Sequence, residues 1–377
     1  KTDSVAIEVL VKVGSNNENE KIAGISHFIE HMLFEGTKKR TAEQIANEIE
    51  SIGGEINAAT ANERTYFYVS VLKKHFNKGL EILADILQNP LFKEEIIKKE
   101  KNVILDEISL VTDNPKFHQW VLFAKHLFKK HPTRNPLYGT REVVSKLNRE
   151  DLVNYYNKFY KSNNIIISIV GDVQEIKEKV ERAFSKLKKG KIEFKEIKEP
   201  GNIKTIHREK RQVMHSYLVL GYKVEKKDVY ILDVIQAILF RGLSGRLGNE
   251  IRIKRGLSYN FGAVNEEGKD FAYFATFVSS DKKNIEQCKK IILKELKLKN
   301  LKDKEIEDAK NCLEGSFILK YEDNKERADL IGEFYMLGKK VEDYVKNIKK
   351  VTKKDILNTV KKYFKNDYTE VRIEPLK

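Results

Sequence analysis

Ile25-Ser-His-Phe-Ile-Glu-His-Met-Leu-Phe-Glu-Gly36 has a second copy of its apolar skeleton later in the chain, Ile231-Leu-Asp-Val-Ile-Gln-Ala-Ile-Leu-Phe-Arg-Gly242. Ile25, Ile29, Leu33, Phe34 and Gly36 coincide with Ile231, Ile235, Leu239, Phe240 and Gly242 without a gap. Apolar residues four apart, closed by a glycine, predict a helix in each copy, over about 23–34 and 228–240.

The flanking patterns repeat as well. Before the first helix, Val5–Val13 alternates as a strand; after it come a helix over Ala42–Ser51 ended by Gly53-Gly54, and an alternating stretch, Asn57–Leu72, read as strand. Helices are predicted over 74–88, 94–112, 115–129, 148–158 and 173–187, with an apolar strand at Asn164–Gly171. The second half offers strand Val213–Lys223, helix Asp228–Phe240, strand Asp270–Val278, helix Lys283–Leu296 and a helix from Asp303. The expected fold is therefore α/β (α+β): two homologous domains, each a largely antiparallel sheet with helices packed on it. Their boundaries are 1–190 and 205–377, joined by a linker, 191–204, in a lysine-rich stretch containing Pro200-Gly201.

Composition narrows the function classes. A length of 377 residues suits two or three domains and a core that needs no staples. Cys288 and Cys312 show no CxxC spacing, so a disulfide framework is excluded. No apolar run approaches the roughly 18–20 residues of a membrane span. The net charge of +15 is spread over amphipathic stretches such as Lys73-Lys74 and Lys188-Lys189, without a basic stripe interleaved with aromatics. A solvated surface accounts for it, and no nucleic-acid partner is expected. Arg241-Gly-Leu-Ser-Gly-Arg246 lacks the Lys-Ser/Thr and preceding strand of a phosphate loop. Two isolated thiols fit a reducing compartment, so the expected compartment is the cytoplasm, with the periplasm as the alternative.

The duplication supplies an internal control. Where the first helix has His27, Glu30 and His31, the second has Asp233, Gln236 and Ala237. The apolar positions are shared and the polar trio is not, so the trio reads as chemistry added to a common scaffold. His27-Phe-Ile-Glu30-His31 is an HxxEH motif, the inverzincin signature. Residues four apart on a helix lie about 40° apart around it, so both imidazoles can reach one ion. Two imidazoles and a carboxylate with one position open make a catalytic zinc site. The helix over 94–112 carries Glu100 and Glu107, seven apart on one face, among many other carboxylates.

These motifs, with Asn57-Ala-Ala-Thr60 before Thr65-Tyr-Phe-Tyr68, Asn135-Pro-Leu-Tyr-Gly139, Val170-Gly-Asp172 and Arg252-Ile-Lys-Arg-Gly-Leu-Ser-Tyr259, resemble the pitrilysin family of metallopeptidases. The resemblance spans essentially the whole chain. It is strongest to short bacterial members akin to the β subunit of mitochondrial processing peptidase. It implies a zinc endopeptidase with Zn2+ held by His27, His31 and Glu107, Glu30 as general base, and Glu100 supporting the site from behind. Asn57 and Ala58 match the edge-strand segment that pairs with the substrate backbone, and Arg252 and Tyr259 match a second-domain pair that reaches the substrate carbonyl. Family members enclose the site in a four-domain chamber that admits unfolded peptides or presequence-like segments. A two-domain chain then implies a homodimer, with a heterodimer or a non-catalytic partner subunit as the alternatives. Family members also usually begin with a further strand about 20–25 residues before the equivalent of Val5, and this sequence has none.

Overall fold

The computed structural model describes residues 3–376; Lys1, Thr2 and Lys377, at the ends of the two expected domains, lie outside the described residues. In chain order the first helices are α1 (Ile25–Phe34), α2 (Ala42–Glu50), α3 (Phe76–Gln88), α4 (Glu94–Asp113), α5 (Pro115–Leu127), α6 (Arg141–Val144), α7 (Arg149–Phe159) and α8 (Ile176–Ala183). They are followed by α9 (Val229–Leu239), α10 (Ile285–Glu295), α11 (Asp303–Glu322), α12 (Asn324–Met336), α13 (Tyr344–Lys350) and α14 (Lys353–Tyr363). The chain forms two compact units, neither continuous in sequence. One comprises residues up to Leu110, Asn135–Lys195 and Lys320–Val341; the other comprises Val111–Arg134, Glu196–Leu319 and the chain from Glu342 onward. Thus α12 belongs to the first unit and α5 to the second.

In the first unit, strands β1 (Ser4–Val11), β2 (Glu55–Thr60), β3 (Thr65–Leu72) and β4 (Ile165–Val170) form an antiparallel sheet ordered β2-β3-β1-β4. β1 is buried on both faces because side chains alternate across a strand. Val5, Ile7, Val9 and Val11 enter the main core with Phe28 and Ile29 of α1 and Leu83 of α3. Ala6, Glu8 and Leu10 face α12, where Ala328 packs on Ala6 and a side chain at Gly332 would crowd Glu8 Oε1 at 3.1 Å. Glu8 is 1% exposed, and beside it Arg64 Nη1 donates to Asp329 Oδ1 at 2.5 Å.

The second unit's sheet is built the same way. Strands β5 (Thr205–Arg211), β6 (Ser216–Lys223), β7 (Asn260–Glu267), β8 (Ala272–Ser280) and β9 (Thr369–Pro375) are ordered β5-β9-β6-β8-β7, with β5 parallel to β9 and the other pairs antiparallel. Leu218, Leu220 and Tyr222 of β6 face the core that includes α9, while Tyr217 and Val219 face Leu122 and Phe123 of α5. Gly221 lets the Phe123 ring come close: a Cβ there would fall 2.3 Å from Cζ. Strands β1, β2, β3 and β4 correspond to β6, β7, β8 and β9. Strand β5 has no counterpart among the described residues of the first unit, so β4 pairs on one side only.

Both sheets are the antiparallel-rich α/β layers expected. Asn57–Leu72, expected as one strand, is a hairpin. Ala61 N–H donates to the Arg64 carbonyl at 2.7 Å, closing the polar Ala61-Asn-Glu-Arg64 turn and pairing Thr60 with Thr65. Residues 188–204 form no helix or strand. Glu199 within them accepts hydrogen bonds from the N–H groups of Lys129, Lys130 and His131 at 2.7, 2.8 and 2.9 Å.

Candidate metal centre

Helix α1 buries Ile25, Phe28, Ile29, Met32 and Leu33 in the core, which leaves His27, Glu30 and His31 on the face turned away from it. It begins after Gly24, whose φ of +94° is left-handed. A Cβ at Gly24 would lie 2.5 Å from the Tyr138 carbonyl oxygen, and one at Gly139 would lie 2.2 Å from the Ala23 oxygen. Two glycines thus let the Asn135–Gly139 segment press against the start of the helix. Its Tyr138 ring stands edge-on to His27, with centroids 4.5 Å apart at 89°.

Helix α4 faces the core through Ile97, Ile104 and Ile108, and Glu100 lies in that same buried stripe. A carboxylate there requires partners. Glu100 Oε2 lies 3.1 Å from His31 Nδ1, and Oε1 lies 3.4 Å from Lys99. A carboxylate only accepts, so His31 Nδ1 is the donor in this contact, which directs Nε2 toward His27 and Glu107. Two turns on, Glu107 reaches the same place. The Nε2 atoms of His27 and His31 are 3.3 Å apart, and Glu107 Oε2 lies 3.5 Å from the first and 3.6 Å from the second.

These three atoms form a near-equilateral triangle. A tetrahedral zinc with bonds of about 2.0–2.1 Å needs donors about 3.3–3.4 Å apart, so the donor set fits a zinc ion without rearrangement. Among the described residues it is also the one group of His, Cys, Asp or Glu side chains close enough together to hold a metal. Burial, with His31 adding to it, drives the His27 pKa down to about 3, which leaves a neutral imidazole. The Glu107 side chain is 36% exposed against 7% for His27, so the triangle opens to solvent on the glutamate side.

Glu30 stands outside the triangle. Its Oε2 accepts from Thr60 Oγ1 at 2.5 Å, at the end of β2. Burial raises its pKa, and the Thr60 hydrogen bond opposes the rise. Asn57 and Ala58 lie on β2, which is an edge strand among the described residues, and Ala58 N–H donates to Asn57 Oδ1 at 2.8 Å. Arg252, in a π-helical turn (Gly248–Ile253), and Tyr259 belong to the second unit. The Arg252 guanidinium lies 4.6 Å from the centre of the Tyr259 ring, and that ring is 80% exposed. In the sequence Thr60 and Tyr138 stand out only as parts of motifs. Their contacts with Glu30 and His27 come from the fold.

The second unit shows what the same scaffold does without the trio. Asp233 Oδ1 accepts from Asn265 Nδ2 at 2.8 Å, its Oδ2 accepts from the Tyr344 hydroxyl at 3.3 Å, and Gln236 Nε2 donates to the Ala263 carbonyl at 2.8 Å. The seventh and fourteenth residues of α4 are Glu100 and Glu107, whereas those of α11 are Ala309 and Ser316. The equivalent polar groups are spent on internal hydrogen bonds.

The model of insulinase (peptidase family M16) matches residues 1–141, and that of the peptidase M16 inactive domain matches 146–313. An "uncharacterized zinc protease" of Rickettsia bellii is 35% identical over 99% of this chain and 93% of its own length. The "uncharacterized zinc protease YmxG" of Bacillus subtilis is 30% identical over the same shares. A crystal structure of a protease from Helicobacter pylori superimposes with a TM-score of 0.93 at 25% identity, covering all of this chain and 94% of that one.

Proposed function

Since the chain belongs to peptidase family M16, the insulinase family, we propose that it is a zinc-dependent endopeptidase acting on unfolded peptides. The observation that carries this reading is the triangle of His27 Nε2, His31 Nε2 and Glu107 Oε2, with Glu100 behind it and Glu30 beside it. When bound, zinc would lower the pKa of a water and polarise the scissile carbonyl. His27, His31 and Glu107 would hold the ion. Glu100 keeps the His31 lone pair on Nε2. Glu30 takes the proton of the attacking water and passes it to the leaving amine, with Thr60 fixing which way its carboxylate turns.

Substrate binding follows from the exposed edge of β2. An extended peptide pairs with Asn57 and Ala58 by strand addition, which selects for unfolded chains. Arg252 and Tyr259 donate hydrogen bonds to the developing oxyanion. The site works inside a chamber of four domains made by two copies of the chain. No helix among the described residues is long and apolar enough to cross a membrane. The test is cleavage of an unstructured peptide by the purified chain, with chelator and with zinc restored. Cleavage that ignores the chelator would refute the proposal.

A further inference from the structure

Helix α1 opens without the usual means of satisfying its first N–H groups. Its cap residue is Gly24, which has no side chain to offer, and no side-chain oxygen of the cap accepts from the first turn. The acceptor comes instead from the preceding loop. Glu18 Oε2 accepts from Gly24 N–H at 2.6 Å, and Oε1 accepts from Ser26 N–H at 2.8 Å. One carboxylate thereby spans the start of the helix and holds two donors in fixed relation. Burial raises the Glu18 pKa to about 8, and the Gly24 and Ser26 N–H groups oppose that rise; with both oxygens accepting, the contact geometry is that of the ionised carboxylate, which the helix dipole also favours. Ser26 is tied from a second side by the Tyr155 hydroxyl, 3.0 Å from its Oγ.

The clamp ends one residue short of His27. Successive residues on a helix are rotated by about 100°, so a small slip in the first turn swings His27 Nε2 out of the triangle. His31, a turn later, is separately steadied by Glu100. His27 has no such partner: its Nδ1 is buried with no hydrogen bond among the described residues. Backbone register and the Tyr138 ring are what remain to aim it. Glu18 itself is 7% exposed, an environment in which carboxylates are rare unless partnered.

We infer that Glu18 is a positioning residue for the metal: its carboxylate sets the first turn of α1 and through it the aim of His27. The inference rests on the zinc reading above and assigns to the site a residue outside the HxxEH motif and the distal glutamates. Replacing Glu18 by Gln keeps the size but turns one acceptor into a donor that meets an N–H head-on. Replacing it by Asp keeps the charge but shortens the reach, so that only one N–H is held.

The experiment uses the full chain, loaded with Zn2+ for affinity and with Co2+ for the absorption bands that report ligand geometry. Glu18→Gln should bind zinc about tenfold or more weakly, the range seen when groups that orient metal ligands are lost, and its cobalt bands should shift. Glu18→Asp should fall between it and the wild type. Val71→Ala, a core truncation in β3, controls for general destabilisation: it should melt lower yet keep zinc affinity and cobalt bands. Should Glu18→Gln not fold, Glu18→Asp alone is compared with Val71→Ala. Wild-type zinc affinity and unshifted bands in the Glu18 variants would overturn the role of Glu18 alone. Wild-type protein that takes up no zinc would overturn the site reading and this inference with it.

Discussion

His31 Nδ1 and Glu100 Oε2 stand 3.1 Å apart, joining α1 to α4 behind the proposed zinc ligands. This contact fixes the ring's tautomer and direction, so its loss should register in metal binding before anything else. Glu100→Ala is expected to weaken zinc affinity by about 10–100-fold. Titration against a competing chelator measures it, and an unchanged dissociation constant would remove Glu100 from the site.

Glu30 and Glu107 should separate cleanly. Glu30→Gln keeps shape but loses the proposed base, so zinc should stay bound while turnover drops by about 10²–10⁴. His31→Ala and Glu107→Gln should instead lose or weaken the metal. Thr60→Val frees the Glu30 carboxylate and should lower kcat with zinc content unchanged. The reading fails if Glu30→Gln arrives empty and Glu107→Gln fully loaded.

One equivalent of zinc per chain is expected. Asp233, Gln236, Ala309 and Ser316 stand where the first unit has His27, Glu30, Glu100 and Glu107, and two of the four are already hydrogen-bonded internally. Metal analysis of His27→Ala should read near zero. A full equivalent remaining in that variant would point to a second site.

If the chamber needs four domains, active protein should run near twice 43.8 kDa. Light scattering on the column fraction that cleaves peptide decides this. Full activity in a verified monomer rejects the dimeric chamber and leaves the zinc site standing.

Glu8 gives a pH-dependent stability. Burial, reinforced by Asp329 and opposed by Arg64, raises its folded pKa from 4.5 to about 8. The folded state then holds a proton that the unfolded chain releases, so stability falls as pH rises from about 4.5 to about 8 and levels off above. The slope over that window is about 1.4 kcal/mol per pH unit at most. Glu8→Gln imitates the protonated acid. It should match the wild type near pH 5 and be the more stable protein at pH 8 in urea unfolding. Parallel curves would mean that Glu8 stays ionised.

The site was legible where chemistry lies within one helix. His27, Glu30 and His31 are spaced by helical geometry alone, and their loss from the second copy marks them as additions. Glu100 and Glu107 needed the family resemblance, because a charged helix offers several equivalent pairs. Strands β5 and β9 escaped notice for a physical reason. β9 buries Glu370 and Arg372 against each other on one face while Val371 and Ile373 enter the core with α5 on the other, so its sequence reads as mixed and not as an apolar run, and β5 is a charged edge. Glu18 gave no signal, since a loop carboxylate reaching forward to N–H groups six and eight residues on has no periodicity.

The reciprocal placement of α5 and α12 bears on how the polypeptide acquires its structure during synthesis. When the ribosome has released the chain as far as residue 204, β1, β3 and β4 can associate, but the face bearing Ala6, Glu8 and Leu10 still lacks α12. That face stays wet, with a carboxylate and Arg64 near it, until residue 336 has emerged. Long-range closure of this kind slows folding and leaves an apolar surface exposed meanwhile. Nascent chains arrested in the linker should therefore be held by chaperones or digested, and protease resistance should appear only once α12 clears the exit tunnel.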